Sequence, residues 1–167
     1  MPLKLDKNTK RFIGILGKIP MFQRLLPVQS LEILKICRPR TFDNLEVLIE
    51  HGSKSTEMYI LLSGQLTVRP TEGTTIATLT PLTSVGEMGI ITGQPRTATA
   101  VSVGKSNVFE ISKIKFEVML KKFPDIGFVI FRNIILTLPN RLDTTNQQLA
   151  EKTREIDRLN IEGQPVG

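Results

Sequence analysis

The sequence predicts an α+β fold that is mainly β, with helices ahead of and behind a block of strands. Two patterns carry this expectation. Between Arg38 and Ile111, short apolar runs alternate with turn residues, the signature of a sandwich or barrel. On either side of that block, apolar residues recur at helical spacing. The chain has 167 residues, 40% of them hydrophobic and 23% charged, enough for one domain with a full core and a helical extension.

Residues 1–10 are polar and charged and are expected to be a flexible N-terminus. Phe12, Ile15, Leu16 and Ile19, then Leu31, Ile33 and Leu34, mark helix faces, and Pro20 and Pro27 divide them into short helices. Ser30 precedes the last of these, while Pro27 offers an earlier start. Expected strands cover residues 47–49, 58–62, 65–68, 76–79, 97–103 and 107–111. His51-Gly52-Ser53, Ser63-Gly64, Glu72-Gly73, Gly93-Gln94-Pro95 and Gly104-Lys105 separate them, and Ser63-Gly64 reads as a tight hairpin.

After Ile111, Ser112 is positioned to cap a helix with Ile114, Val118 and Leu120 on its apolar face. Pro124 starts another through Phe128, Phe131, Ile134, Ile135 and Leu138, which Pro139 should kink or end. Leu142, Leu149, Ile156 and Leu159 then follow at coiled-coil-like spacing, so a homodimer with Leu142, Leu149 and Ile156 in its seam is plausible. The expected organisation is a domain over residues 11–138, a lid or dimer helix over 139–160 and a disordered tail over 161–167. No internal repeat is present.

A net charge of +6 invites a nucleic-acid reading. The lysines and arginines are dispersed, however, and one tyrosine with no tryptophan leaves little surface for stacking bases. No apolar run is long enough to span a bilayer and the start lacks the apolar centre of a signal peptide, so no membrane association and a cytoplasmic location are expected. The lone Cys37 sits among apolar neighbours and cannot form an internal disulfide. His51 is the single histidine. Metal sites and histidine-based catalysis need partners, and no nucleophile has a base and an orienting group beside it, so the chain is not expected to be an enzyme or to bind metal.

The most informative stretch is Gly86-Glu87-Met88-Gly89-Ile90-Ile91-Thr92-Gly93-Gln94-Pro95-Arg96-Thr97-Ala98-Thr99-Ala100. Its acid can accept hydrogen bonds from a sugar hydroxyl, and its arginine can grip a phosphate bidentately. Glycines around the acid let the backbone approach an anion and offer N–H groups to it. Pro95 fixes φ just ahead of the arginine. These residue types in this order make a pocket for a small ribose phosphate.

The stretch resembles the phosphate-binding cassette of cyclic nucleotide-binding domains. The likeness extends from about Leu16 to Leu149, through Arg40-Thr41-Phe42, Gly52 and Tyr59-Ile60-Leu61-Leu62-Ser63-Gly64. It implies an eight-stranded jelly-roll β-barrel flanked by N-terminal and C-terminal helices, and cAMP or cGMP as ligand with no further cofactor. Arg96 would pair with the cyclic phosphate, helped by backbone N–H groups of Gly89 and Ile90. Glu87 would accept from the ribose 2′-hydroxyl, and Gly86 would keep the backbone clear of the sugar. Met88, Thr97 and Ala98 would complete the contacts, with Thr97 compatible with either nucleotide. Arg141-Leu142-Asp143-Thr144-Thr145-Asn146 resembles the part of the dimer helix that reaches adenine in catabolite activator-type members, which would bring Thr145 and Asn146 to the base. Those polar residues could equally set coiled-coil register.

Two positions depart from the family pattern: Leu45 where a glycine is usual, and Ser53 where an aspartate is common. The resemblance implies a stand-alone sensor that passes ligand binding to an effector protein through its C-terminal helices. The alternatives are a transcription factor that lacks or stops before its DNA-binding domain, since Gly167 leaves no room for one, and an interaction module with a vestigial pocket.

Overall fold

The computed structural model describes residues 6–54, 56–70 and 75–162. Helix α1 (Lys7–Leu16) starts within the stretch expected to be flexible. Asp6 is its N-cap and accepts from the Asn8 and Thr9 N–H groups at 2.9 Å each, which satisfies two of the unpaired donors of the first turn. A 3-10 turn follows over Pro20–Phe22. Helix α2 (Pro27–Ile36) begins at the proline rather than after Ser30; a proline in the first helical position needs no N–H partner. The Leu26 N–H ahead of it donates to Gln29 Oε1 at 2.8 Å.

Six strands form one sheet: β1 (Arg38–Phe42), β2 (Val47–Ile49), β3 (Glu57–Arg69), β4 (Ala77–Leu79), β5 (Ser84–Val85) and β6 (Thr99–Ser112). The order is β1-β6-β3-β4, with β2 also on β6 and β5 also on β3. β3 and β6 run antiparallel from Glu57 opposite Ser112 to Arg69 opposite Thr99. Among the described residues this is a six-stranded sheet and not a closed eight-stranded barrel. The mainly β, α+β class holds, but β3 and β6 each contain two of the expected strands. Neither β1 nor β5 is among the strands expected from the apolar runs.

Ser63-Gly64 is not a hairpin. Gly64 lies inside β3 at φ +92°, and the register with β6 shifts on both sides of Ser63, so the glycine marks a bulge that bends the strand. Ser106 on β6 secures the bend: its Oγ accepts from Gln65 N–H at 3.2 Å and donates to Gln65 O at 3.0 Å. Gly104-Lys105, also expected as a turn, falls within β6.

Side chains of β3 alternate between two cores, as a period of two demands. Met58 and Ile60 join Leu16, Ile19, Phe22, Ile33, Phe116 and Ile130 under the helices. Tyr59 and Leu61 join Phe42, Leu48, Ile49 and Val108 inside the curl of the sheet. Leu45, at the position where glycine is usual, takes the left-handed conformation with φ +65°.

Helix α3 (Glu87–Thr92) is the short turn between β5 and β6. Ser112 caps α4 (Lys113–Lys122), as expected. Helix α5 (Pro124–Glu162) starts at Pro124 and runs through Pro139 without ending there. Its first turns are fastened to the domain: Ile126 and Ile130 are buried, and the Asn133 side-chain amide donates to Met21 O at 3.2 Å and Gln23 O at 2.6 Å. Residues 161 and 162 are still helical. The remainder of the expected tail, like residues 1–5, lies outside the described residues.

Candidate functional site

Gly86 and Gly93 bracket α3, both in the left-handed conformation with φ +85° and +70°. A side chain at Gly86 would meet Ile49 Cδ1 at 2.8 Å as well as backbone strain, so this corner takes only glycine without rearrangement. The turn out of β5 therefore places Glu87 in the first turn of α3, buried.

Arg96 reaches the same place from the other side. Its backbone is fixed by the corner loop, with Gly52 N–H donating to Arg96 O at 2.8 Å and Arg96 N–H donating to Ser53 O at 3.0 Å. Its side chain is only 5% exposed. Nη1 donates to Gly86 O at 2.6 Å and Nη2 to Glu57 O. Burial pushes the guanidinium below its ordinary pKa, while the nearby carboxylates of Glu57 and Glu87 oppose that shift. An arginine keeps its proton across the physiological range in any case. The guanidinium lies against Gly89 so closely that a Cβ there would overlap it.

A cavity of about 410 Å³ opens over these groups, within the usual size range of small-molecule sites. Gly86, Glu87, Met88, Gly89, Arg96, Thr97 and Ala98 all line it. The sequence motif thus converges on one place, with Met88 and Thr97 exposed at the mouth. Ile90 differs: it is 1% exposed and belongs to the core beneath the helices, where it anchors α3. Thr145 and Asn146 are exposed on α5, and neither lines the cavity.

Sequence reasoning missed the apolar wall made by Ile49, Val68 and Val85. It also missed Glu57, whose contribution is a backbone carbonyl. The inward-facing alternation of β3 was the only signal for Val68, and nothing in the sequence pointed to Glu57.

Elsewhere, Cys37 donates its S–H to Ile33 O at 3.3 Å, and burial pushes the thiol up to about 12. It therefore stays protonated and unreactive near neutral pH. Among the described residues, no group of three or more His, Cys, Asp or Glu is placed to hold a metal ion. No helix among them is long and apolar enough to cross a membrane.

Comparison with known proteins bears on the family and the fold. The family model described as "Cyclic nucleotide-binding domain" matches residues 39–123. A cyclic nucleotide-gated potassium channel of Mesorhizobium japonicum is 28% identical over 73% of this chain and 33% of its own length. The cyclic nucleotide-gated channel alpha-4 of Mus musculus is 31% identical over 96% of this chain and 30% of its own. The chain thus spans about a third of the length of the curated relatives it matches. Among solved structures, a cyclic nucleotide-binding domain from Methylobacillus flagellatus superposes with a TM-score of 0.76 at 20% identity, over 87% of this chain and 84% of that one.

Proposed function

The chain belongs to the cyclic nucleotide-binding domain family, and from that premise we propose that it is a regulatory sensor of cAMP or cGMP. One observation carries the reading: a buried arginine held over a glycine-lined turn, with a buried glutamate at the same cavity. In this reading the cyclic phosphate sits on Arg96 and on the N–H groups of Gly89 and Ile90. Glu87 accepts from the ribose 2′-hydroxyl, and the purine lies along the apolar wall beside Thr97 and Ala98. A carboxylate at that hydroxyl would discriminate against deoxy analogues, because they lose the hydrogen bond to it.

Thr145 and Asn146 reach the base only if α5 swings toward the cavity. Such closure would be the signal, since a ligand shifts an equilibrium only through contacts it makes better in one state. An effector protein would read that movement, and a second copy of the chain would pair along α5. No chemical step is assigned to the chain.

Calorimetric titration with cAMP and with cGMP tests the reading. Micromolar or tighter binding of at least one is expected, and no heat with either at high ligand would leave the vestigial-pocket alternative. Arg96→Ala should cost about 2 kcal/mol or more, roughly thirtyfold in affinity. A variant that binds like the parent would remove Arg96 from the phosphate.

A further inference from the structure

Helix α4 carries two apolar side chains that the fold does not use. Ile114 is 74% exposed and Val118 60%, one helical turn apart on the face opposite the buried Phe116. They form one wall of a groove between α2 and α4, of about 260 Å³, with Ile36, Met119 and Phe123 along it. Lys35, Lys115, Lys122 and the acidic Glu32 also line it, and Lys121 is exposed next to them. Lys35 is paired with Glu32 at 2.7 Å. Among the described residues, no carboxylate pairs with Lys115, Lys121 or Lys122.

We infer that this groove docks an acidic amphipathic helix of a partner protein. The occupant would place apolar residues at i and i+4 between Ile114, Val118 and the α2 side, with Asp or Glu flanking them to meet the lysines. Three features favour this occupant. The groove is concave between two helices, which suits the ridge of a third; a flat lipid surface would not fill it. Its floor is apolar, so burial supplies affinity. Lys35 is neutralised by Glu32, but Lys115 and Lys122 leave the lining net positive, so it complements an acidic segment and repels a basic one. The surface is separate from the nucleotide cavity, and the inference does not rest on what binds there.

The test is a display selection of short helical peptides on the full chain, followed by anisotropy titration of the enriched peptides. Sequences with apolar residues at i and i+4 and flanking Asp or Glu should be enriched. Their affinity should fall at least about tenfold on Val118→Asp and on the double variant Lys115→Glu/Lys122→Glu, and should weaken as salt is raised. Both changes are at exposed positions, and nucleotide titration and thermal unfolding of each variant report separately on the pocket and on folding. No enrichment, enrichment of neutral or basic sequences, or undiminished affinity for both variants would overturn the inference. So would binding to phosphatidylserine vesicles that depends on Val118 while no acidic peptide binds.

Discussion

Arg96 is costly to bury and would be poorly placed without its surroundings. Two backbone carbonyls, of Gly86 and Glu57, hold the guanidinium before any ligand arrives, so little side-chain entropy remains to be lost on binding. Gly89 is the other half of that placement, because a Cβ there would overlap the guanidinium. Gly89→Ala should therefore displace Arg96 and lower nucleotide affinity by roughly tenfold or more, about 1.4 kcal/mol, while alanine's better helix propensity limits any loss of stability. Calorimetry together with a thermal melt separates the two effects; unchanged affinity would show that the arginine can shift without consequence. Leu45 makes the opposite kind of case. At φ +65° and 68% exposed, it accepts left-handed strain and gives up little packing if removed. Leu45→Gly should raise stability by about 0.5–1 kcal/mol, the strain of roughly 1–2 kcal/mol being partly offset by glycine's freedom in the unfolded chain. Chemical denaturation measures this directly. These residues also show what sequence conveys: Glu87 and Arg96 were legible because their side-chain chemistry and spacing are local. The Glu57 carbonyl was not, because every residue has one.

Where the apolar runs lie was legible, but how they join into strands was misread. Ser63-Gly64 and Gly104-Lys105 have the composition of hairpin turns, yet both lie within strands that continue past them. A bulge and a tight turn ask the same thing of a glycine, a positive φ, and only pairing at long range decides between them. Here β3 and β6 pair with each other along almost their whole length, so each bends where the other does. Gly64 is the tightest point: a Cβ would lie 2.5 Å from Ser106 Oγ and 2.6 Å from Lys105 O. Gly64→Ala combines that overlap with left-handed strain and should destabilise the domain by roughly 2–4 kcal/mol. A fall in the unfolding midpoint measures it, and an unchanged midpoint would mean that the sheet can flatten at this bulge. Helix α5 was misread less. Pro139 removes one N–H and clashes with the preceding turn, but the helix continues through it. Local propensity alone could not weigh that cost against the helix-forming sequence that follows.

At the scale of the whole molecule, the domain and the far half of α5 are held by different means. Helix α5 has 39 residues, roughly 58 Å at 1.5 Å per residue, and its burial stops early. Every described side chain from Leu142 to Leu159 is exposed, including Leu142, Leu149, Ile156 and Leu159 at 57–64% exposure. These residues, with Ile135 and Leu138 before them, repeat at alternating spacings of three and four, which defines a coiled-coil seam. Thr145 and Lys152 occupy the intervening seam positions. Polar residues there weaken a coil and restrict its register, the role already weighed for Thr145 against contact with the base. If a second copy covers the seam, the two kinds of position respond in opposite directions. Leu149→Asp places a carboxylate in each apolar layer and should shift the chain to monomer, whereas Lys152→Leu removes a buried charge and should tighten the dimer. Sedimentation equilibrium on both variants reads the outcome. Tightening by one and loss by the other supports pairing along α5. A parent chain that is monomeric at high concentration and unaffected by either substitution would reject it, and would leave the cavity, whose lining among the described residues includes none of α5, untouched.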